Sequence, residues 1–153
     1  MELVVCFPLL PQWCWPMTEP VKNVVDDAIT APFWEAATRR ELVIQKCESC
    51  GKYQFYPRPF CLQCESDNIR WVKATGTGTI YSATVVRIDI SAEMQPPYMV
   101  AIVEFDEGPR MLSTIRGNDG RIGDRVQIDW RERPGGPPIP EFRAVRNSGA
   151  SES

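Results

Sequence analysis

Four cysteines in two short knuckles constrain the fold of this chain more than any other feature. Cys47 and Cys50 form the first Cys-x-x-Cys pair, and Cys61 and Cys64 form the second after ten intervening residues. The two-residue gap lets both sulfurs of a pair face one ion, so the quartet can supply four corners of a tetrahedron. The spacing predicts a structural Zn²⁺ site, although Fe is also held by four thiolates. Two disulfides or four free thiols are the alternative interpretations.

The composition excludes several kinds of chemistry. The chain of 153 residues contains no histidine, so it has neither a Ser-His-Asp triad nor a His-ligated catalytic metal. Four protein ligands would also fill a tetrahedral Zn²⁺ and leave no position for a reactive water. A formal charge of −3 provides no overall basic field for a phosphate backbone. Thiolates held by metal favour a reducing, cytoplasmic location, and we expect no membrane association.

The chain divides into five segments. We expect a flexible N-terminal extension over residues 1–29, a helix and its lead-in over 30–45, a zinc ribbon over 46–72, an OB-fold over 73–146 and a disordered tail over 147–153. The apolar run in residues 3–10 is too short to cross a bilayer and lacks the basic start of a signal peptide. Met17 opens a conventional polar N-terminus, so translation from Met1 or from Met17 stays open.

A short helix is predicted within residues 30–40. Pro32 suits the first turn, with Thr30 or Ala31 as the N-cap. An apolar face at helical spacing would comprise Phe33, Ala36 and Ala37. So short a helix needs packing against another element to persist, and the aromatic residues beside Pro32 would supply it.

Five strands are predicted after residue 75, separated by turns rich in Pro, Gly, Asn and Asp. The predicted strands are residues 76–88, 98–105, 110–115, 125–130 and 140–145. Glycines near the start of the first strand mark a bend or bulge. Five short strands with a bent first one are what a small closed barrel requires, and the OB-fold is such a barrel. The sequence therefore predicts a mainly β protein.

The motifs together resemble the family called domain of unknown function 35, whose members are acyl-CoA-associated proteins. The resemblance runs from Pro32 to Val145. It includes Pro-Phe-Trp-Glu at 32–35, both knuckles, Gly-x-Gly-x-Ile-Tyr-Ser at 76–82 and Val-Glu-Phe-Asp-Glu-Gly at 103–108. Glu65 stands where the family often has glycine, which matters little for ligation. The resemblance implies a rubredoxin-like zinc ribbon ahead of an OB-fold, with the four cysteines as metal ligands and no catalytic residue.

The resemblance also implies a function in a complex. Family members look like auxiliary subunits beside thiolases, ketoacyl synthases, aldolases or MaoC-type hydratases that act on acyl-CoA thioesters. We therefore expect a non-catalytic partner of such an enzyme, with acyl-CoA met through the partner. The alternative is a protein that binds single-stranded nucleic acid, because zinc ribbons and OB-folds also serve that use. The predicted barrel carries slightly more carboxylates than arginines, which does not favour the alternative.

Overall fold

The computed structural model describes residues 27–89 and 94–145. Most of the predicted flexible extension, residues 1–26, lies outside the described residues, and so does the whole predicted tail, 147–153. The described chain contains one helix and eight strands. The mainly β fold class is confirmed. The segment boundaries stay a prediction.

The helix α1 spans Ala31–Thr38 and begins as the sequence indicated. Thr30 is the N-cap, Pro32 lies in the first turn, and the predicted apolar face is buried. The Thr30 hydroxyl makes no capping bond to the helix. At the other end, Arg40 leaves the helix and places its Nη2 2.6 Å from Glu132 Oε1, which joins the helix to the barrel.

A three-stranded antiparallel sheet forms the ribbon. Its strands are β1, Val43–Cys47; β2, Tyr53–Gln54; and β3, Ile69–Lys73, in the order β2-β1-β3. The central strand β1 leads directly into the first knuckle, so the stretch interpreted from sequence as a lead-in is part of the ribbon sheet. Because β2 has only two residues, the chain between the knuckles is mostly irregular.

Five strands close into a barrel in the order β4-β5-β6-β8-β7, with β7 returning to β4. They are β4, Thr77–Val86; β5, Tyr98–Phe105; β6, Arg110–Arg116; β7, Arg125–Arg131; and β8, Ile139–Ala144. All neighbours are antiparallel except β6 and β8. Closure of the sheet removes the exposed edges that an open five-stranded sheet would present. The predicted OB-fold is confirmed.

Gly78 explains how one strand closes the barrel. It pairs with Phe105 of β5 on one side and with Val126 of β7 on the other. A side-chain carbon at this position would collide with the backbone carbonyl of Glu104. Two residues later the register between β4 and β5 shifts at Ile80, which is the predicted bulge.

One hydrophobic core joins the helix, the ribbon and the barrel. Four aromatic rings connect them in series: Phe142 and Phe105 of the barrel lie 6.0 Å apart, Phe105 lies 6.5 Å from Phe55 of the ribbon, and Phe55 lies 5.7 Å from Phe33 of α1. Leu42 and Ile44 of the ribbon belong to the same buried cluster. Because the rings interlock, the position of the helix and of the inter-knuckle segment is set by the barrel.

Candidate metal centre and apolar groove

The four predicted ligands meet at one point. The sulfurs of Cys47, Cys50, Cys61 and Cys64 all lie within 4.8 Å of one another. Two of the separations, Cys47 to Cys64 and Cys50 to Cys61, are 3.6 Å, and all four residues are free of disulfides. The disulfide interpretation therefore does not describe this arrangement.

The donor set fits a tetrahedral metal ion. With Zn–S bonds of about 2.3 Å, the edge of a tetrahedron of sulfurs is ~3.8 Å. The observed 3.6 Å separations are close to that length, whereas a disulfide would need about 2.05 Å. Four thiolates are the usual donors of structural Zn²⁺ and also suit Fe.

Both knuckles use the same backbone geometry. In the first, the Gly51 N–H donates to the Cys47 carbonyl at 2.8 Å, and the Cys47 N–H donates to the Lys52 carbonyl at 2.8 Å. In the second, the equivalent bonds run from Glu65 to Cys61 at 2.9 Å and from Cys61 to the Ser66 carbonyl at 2.8 Å. The repeated turn aims each pair of sulfurs in one direction.

The residue after each second cysteine has a left-handed backbone. Gly51 has φ +72° and Glu65 has φ +60°. Glycine adopts this conformation freely, whereas a side chain costs about 1–2 kcal/mol there. Glu65 therefore stores local strain, although the second knuckle keeps the geometry of the first.

The thiols have opposite pKa shifts. Burial raises the pKa of Cys47, but N–H groups of Cys50 and Ser49 and the Cys64 thiol donate to its sulfur and bring the pKa to about 6. The Ser66 N–H lowers the pKa of Cys64, but the other three sulfurs and partial desolvation outweigh it and raise the pKa to about 12. Cys47 and Cys64 thus differ in acidity within one cluster, and a bound cation would stabilise the thiolate form of its ligands.

A buried pair of glutamine amides holds the segment between the knuckles. Gln54 Nε2 donates to Gln45 Oε1 at 2.8 Å, and Gln45 Oε1 also accepts from the Arg58 N–H at 2.8 Å. The amides further engage the carbonyls of Arg58 and Phe60 and the N–H of Leu62. These side-chain amides return the chain to the second knuckle.

An apolar groove of about 670 Å³ lies where the helix, the ribbon and the barrel meet. Phe33 and Trp34 of α1 and Phe55 and Tyr56 of the ribbon form one wall. The barrel supplies the opposite wall and the floor, which include Val100, Met111, Leu112, Arg131, Ile139 and Pro140. Sequence reasoning missed this groove, because its walls come from segments far apart in the chain.

The aromatic residues of the ribbon divide between core and surface. Phe55 and Trp71 are half-buried and pack against the shared core. Tyr56 and Phe60 are exposed to 52% and 45%. Two of the four rings therefore belong to the protein's own core, and two lie on its surface.

Three carboxylates of the barrel, Glu104, Asp106 and Glu107, are engaged in ion pairs and turns. Asp106 accepts two bonds from Arg125, and this guanidinium, together with the Thr77 hydroxyl, lowers the pKa of the Asp106 carboxyl to about 2. Glu104 pairs with Arg110 at 2.7 Å. Glu107 accepts the Thr75 N–H at 2.7 Å. These contacts lock turns and strand ends of the barrel.

The described helix, of eight residues, is too short to cross a membrane, and the part of the chain that the structure describes holds no apolar helix of spanning length.

Comparisons with known proteins match both halves of the described fold. The family model of the ChsH2 rubredoxin-like zinc ribbon domain matches residues 34–70, and that of the ChsH2 C-terminal OB-fold domain matches residues 71–131. A probable enoyl-CoA hydratase alpha subunit of Thermomonospora curvata is 38% identical over 115 residues, 72% of this chain and 36% of that protein. The chain thus spans about a third of that relative.

Two further relatives are covered over most of their length. A DUF35 domain-containing scaffold protein of Methanothermobacter thermautotrophicus is 34% identical over 99 residues, 61% of this chain and 74% of that protein. A chain of the solved Ltp2-ChsH2(DUF35) aldolase is 36% identical with a TM-score of 0.71, over 77% of this chain and 95% of that one. The chain therefore belongs to the family called domain of unknown function 35.

Proposed function

We propose that this chain is a non-catalytic subunit that binds and supports an acyl-CoA-transforming enzyme. The observation that carries the proposal is that relatives which share both halves of this fold are named as a hydratase alpha subunit and as part of an aldolase assembly. A relative covered over most of its length is named as a scaffold protein. A MaoC-type hydratase or an aldolase is the expected partner, and a thiolase-like enzyme or a ketoacyl synthase is a further candidate.

Structural Zn²⁺, held by Cys47, Cys50, Cys61 and Cys64, is part of the proposal. The ion would occupy all four corners with protein ligands, which suits a structural rather than a catalytic role. When bound it would join two knuckles whose own apolar core is small. Metal analysis of freshly isolated protein would test this assignment. One Zn²⁺ per chain without visible absorption is expected, whereas a red protein would indicate Fe.

The proposal assigns chemistry to the partner. The chain has no histidine, and carboxylates of the barrel such as Asp106 and Glu104 form ion pairs with arginines. The same ion pairs weaken the nucleic-acid alternative, because Arg110, Arg116 and Arg125 are each neutralised within the chain. A cytoplasmic location, expected from the thiolates, completes the proposal.

Co-expression with a candidate partner, a MaoC-type hydratase or an aldolase that acts on acyl-CoA, would test the function. We expect the two proteins to co-purify, and we expect the enzyme to lose stability or activity when it is produced alone. The chain alone should not turn over a thioester. A co-purifying enzyme that is fully active and stable without this chain would contradict the proposal.

A further inference from the structure

The groove contains buried hydrogen-bond donors that have no acceptor. Trp34 Nε1 and Arg131 Nε are both inaccessible to solvent, and neither has a partner among the described residues. Both residues line the apolar groove. Tyr98 and Arg131 also line an adjacent cleft of about 400 Å³, where the buried Tyr98 hydroxyl likewise lacks a partner. Unsatisfied buried donors are uncommon because each costs about 1–3 kcal/mol, so two of them in the groove and a third in the adjoining cleft point to an acceptor supplied from outside.

The positive charge beside the groove also indicates that an acceptor is supplied from outside. Over residues 27–89 and 94–145, Arg131 and Arg133 make no ion pair, whereas Arg110 and Arg116, at the two ends of β6, pair with carboxylates. Arg133 instead lies over the Trp34 ring, 5.7 Å from its centre. An acidic chain with a net charge of −3 therefore keeps two uncompensated arginines beside this apolar groove. The complementary ligand carries a carboxylate flanked by apolar groups.

The shape of the groove favours a polypeptide segment. It is open to solvent along its rim, where Leu112 is 67% and Tyr56 52% exposed. Aromatic residues, Met and Arg are enriched at the centres of protein interfaces, and the lining of this groove contains all three. The helix, the ribbon and the barrel all contribute, so a segment seated here would contact every part of the described fold at once.

We propose that this groove is the docking site for an acidic, apolar segment of the partner subunit, whose carboxylate pairs with Arg131 and whose apolar side chains pack against Trp34. The inference rests on the proposed function, because it identifies the surface by which the enzyme partner is held. It assigns Arg131 as the residue that selects for negative charge, and Trp34, Tyr56 and Leu112 as the apolar contacts.

The first test measures affinity for the co-purifying acyl-CoA enzyme subunit with full-length zinc-loaded protein. Arg131→Met should weaken binding by about 30-fold or more, the effect of removing one partner from a buried charge pair. Arg131→Lys should recover part of the loss. Arg121→Met is the matched control, because Arg121 is an exposed barrel arginine outside the groove, and its affinity should equal that of the original chain.

A second variant covers the case in which Arg131→Met disturbs the fold. Leu112→Asp places a carboxylate on the exposed rim, where it would repel an acidic segment without entering the core. It should weaken binding at least 10-fold while the unfolding transition stays unchanged. Ile122→Asp, at an equally exposed residue away from the groove, should leave the affinity intact.

A photo-crosslinking residue at position 112 identifies the occupant directly. The expected product joins this position to a partner peptide in which Asp or Glu stands beside apolar residues. A crosslink to the peptide of this chain that contains Glu93 would overturn the inference. Displacement of the partner by palmitoyl-CoA would also overturn it, if that displacement requires Arg131. Equal affinity of Arg131→Met, Leu112→Asp and the original chain would also overturn it but leave the proposed function intact. If no acyl-CoA enzyme binds the original chain, both proposals fail.

Discussion

The ribbon and the barrel are held together by different chemistry. The interior of the ribbon consists largely of thiols and amides: Cys47 and Cys61 are buried beside the amides of Gln45 and Gln54. The interior of the barrel is hydrocarbon, with Ile80, Val103, Val126 and Phe142 fully enclosed by paired strands. Neighbouring parts of one small fold thus depend on directional bonds in one case and on apolar burial in the other.

This contrast follows from the lengths of the strands. The strands of the ribbon have two to five residues and cannot enclose an apolar interior, so metal and hydrogen bonds replace it. The strands of the barrel have six to ten residues and close on themselves. Perturbations of metal, of apolar volume and of buried amides should therefore affect the two regions separately.

The largest effect is expected from removal of the metal. Structural Zn²⁺ contributes about 10–16 kcal/mol of apparent folding free energy at neutral pH, so Cys47→Ser or Cys64→Ser should unfold the ribbon. Hydrogen exchange should show loss of protection in residues 43–73, while the amides of β5 and β6 stay protected. Cys6→Ser, the same change outside the quartet, should alter neither region. Uniform loss of protection across the chain would show that the barrel also depends on the metal.

The barrel should respond to loss of apolar volume. Phe142 is fully buried between β6 and β7, so Phe142→Ala should destabilise the barrel by about 3–5 kcal/mol. Urea unfolding followed by far-ultraviolet circular dichroism would measure the change. Arg143→Ala, at the exposed neighbouring position, should change stability by less than about 0.5 kcal/mol. If the Phe142→Ala variant keeps one Zn²⁺ per chain, the ribbon is stable independently of the barrel core. Loss of the metal would show that the two regions depend on each other.

The hydrogen bonds of the two buried glutamine amides should stabilise the segment between the knuckles more than the packing of their side chains does. Gln45→Leu keeps much of the side-chain volume but leaves the Arg58 N–H and Gln54 amide without their acceptor, at a cost of about 2 kcal/mol. Amide exchange at Arg58 and Leu62 should accelerate. The double change Gln45→Leu with Gln54→Leu should not restore protection, because both amides also bond to backbone groups. Restored protection in the double variant would mean that shape alone holds the segment.

The smallest effect is expected at the second knuckle. Glu65→Gly relieves a left-handed residue that costs about 1–2 kcal/mol, offset in part by the greater backbone entropy of glycine, for a net gain of about 0.5 kcal/mol. Gly51→Ala is the reverse change: nothing lies within 4 Å of the added carbon, so backbone strain of about 1 kcal/mol is its main effect. Chelator competition would measure both. Equal affinities would show that the metal dictates the turn regardless of residue.

Local patterns in the sequence predicted most of the fold. Two Cys-x-x-Cys pairs predicted one four-sulfur cluster, and alternating turn residues predicted five barrel strands, of which Tyr98–Phe105 was placed exactly. Pro32 and the spacing of Phe33, Ala36 and Ala37 located the helix and its buried face. In each case the evidence lies within a short stretch of the chain, because turn geometry and helical periodicity are local properties.

The groove and the amide pair depend on long-range packing and could not be predicted in this way. Gln45 and Gln54 are ordinary polar residues until β1 and β2 align them and bury them together. Arg131 looks like any surface arginine, and only the approach of α1 and the ribbon encloses its Nε. A single buried glutamine or an unpaired arginine has no sequence signature, since its meaning depends on what the fold brings beside it.

The ring series from Phe142 through Phe105 and Phe55 to Phe33 has a consequence for engineering this family. The ribbon and the barrel each contribute residues to the apolar groove. The proposed docking site therefore cannot be transferred to another protein with either domain alone. A chimera that exchanges barrels between relatives must carry along the matching inter-knuckle segment and the preceding helix. A chimera joined at the ribbon–barrel boundary alone would inherit the fold but not the specificity of its donor.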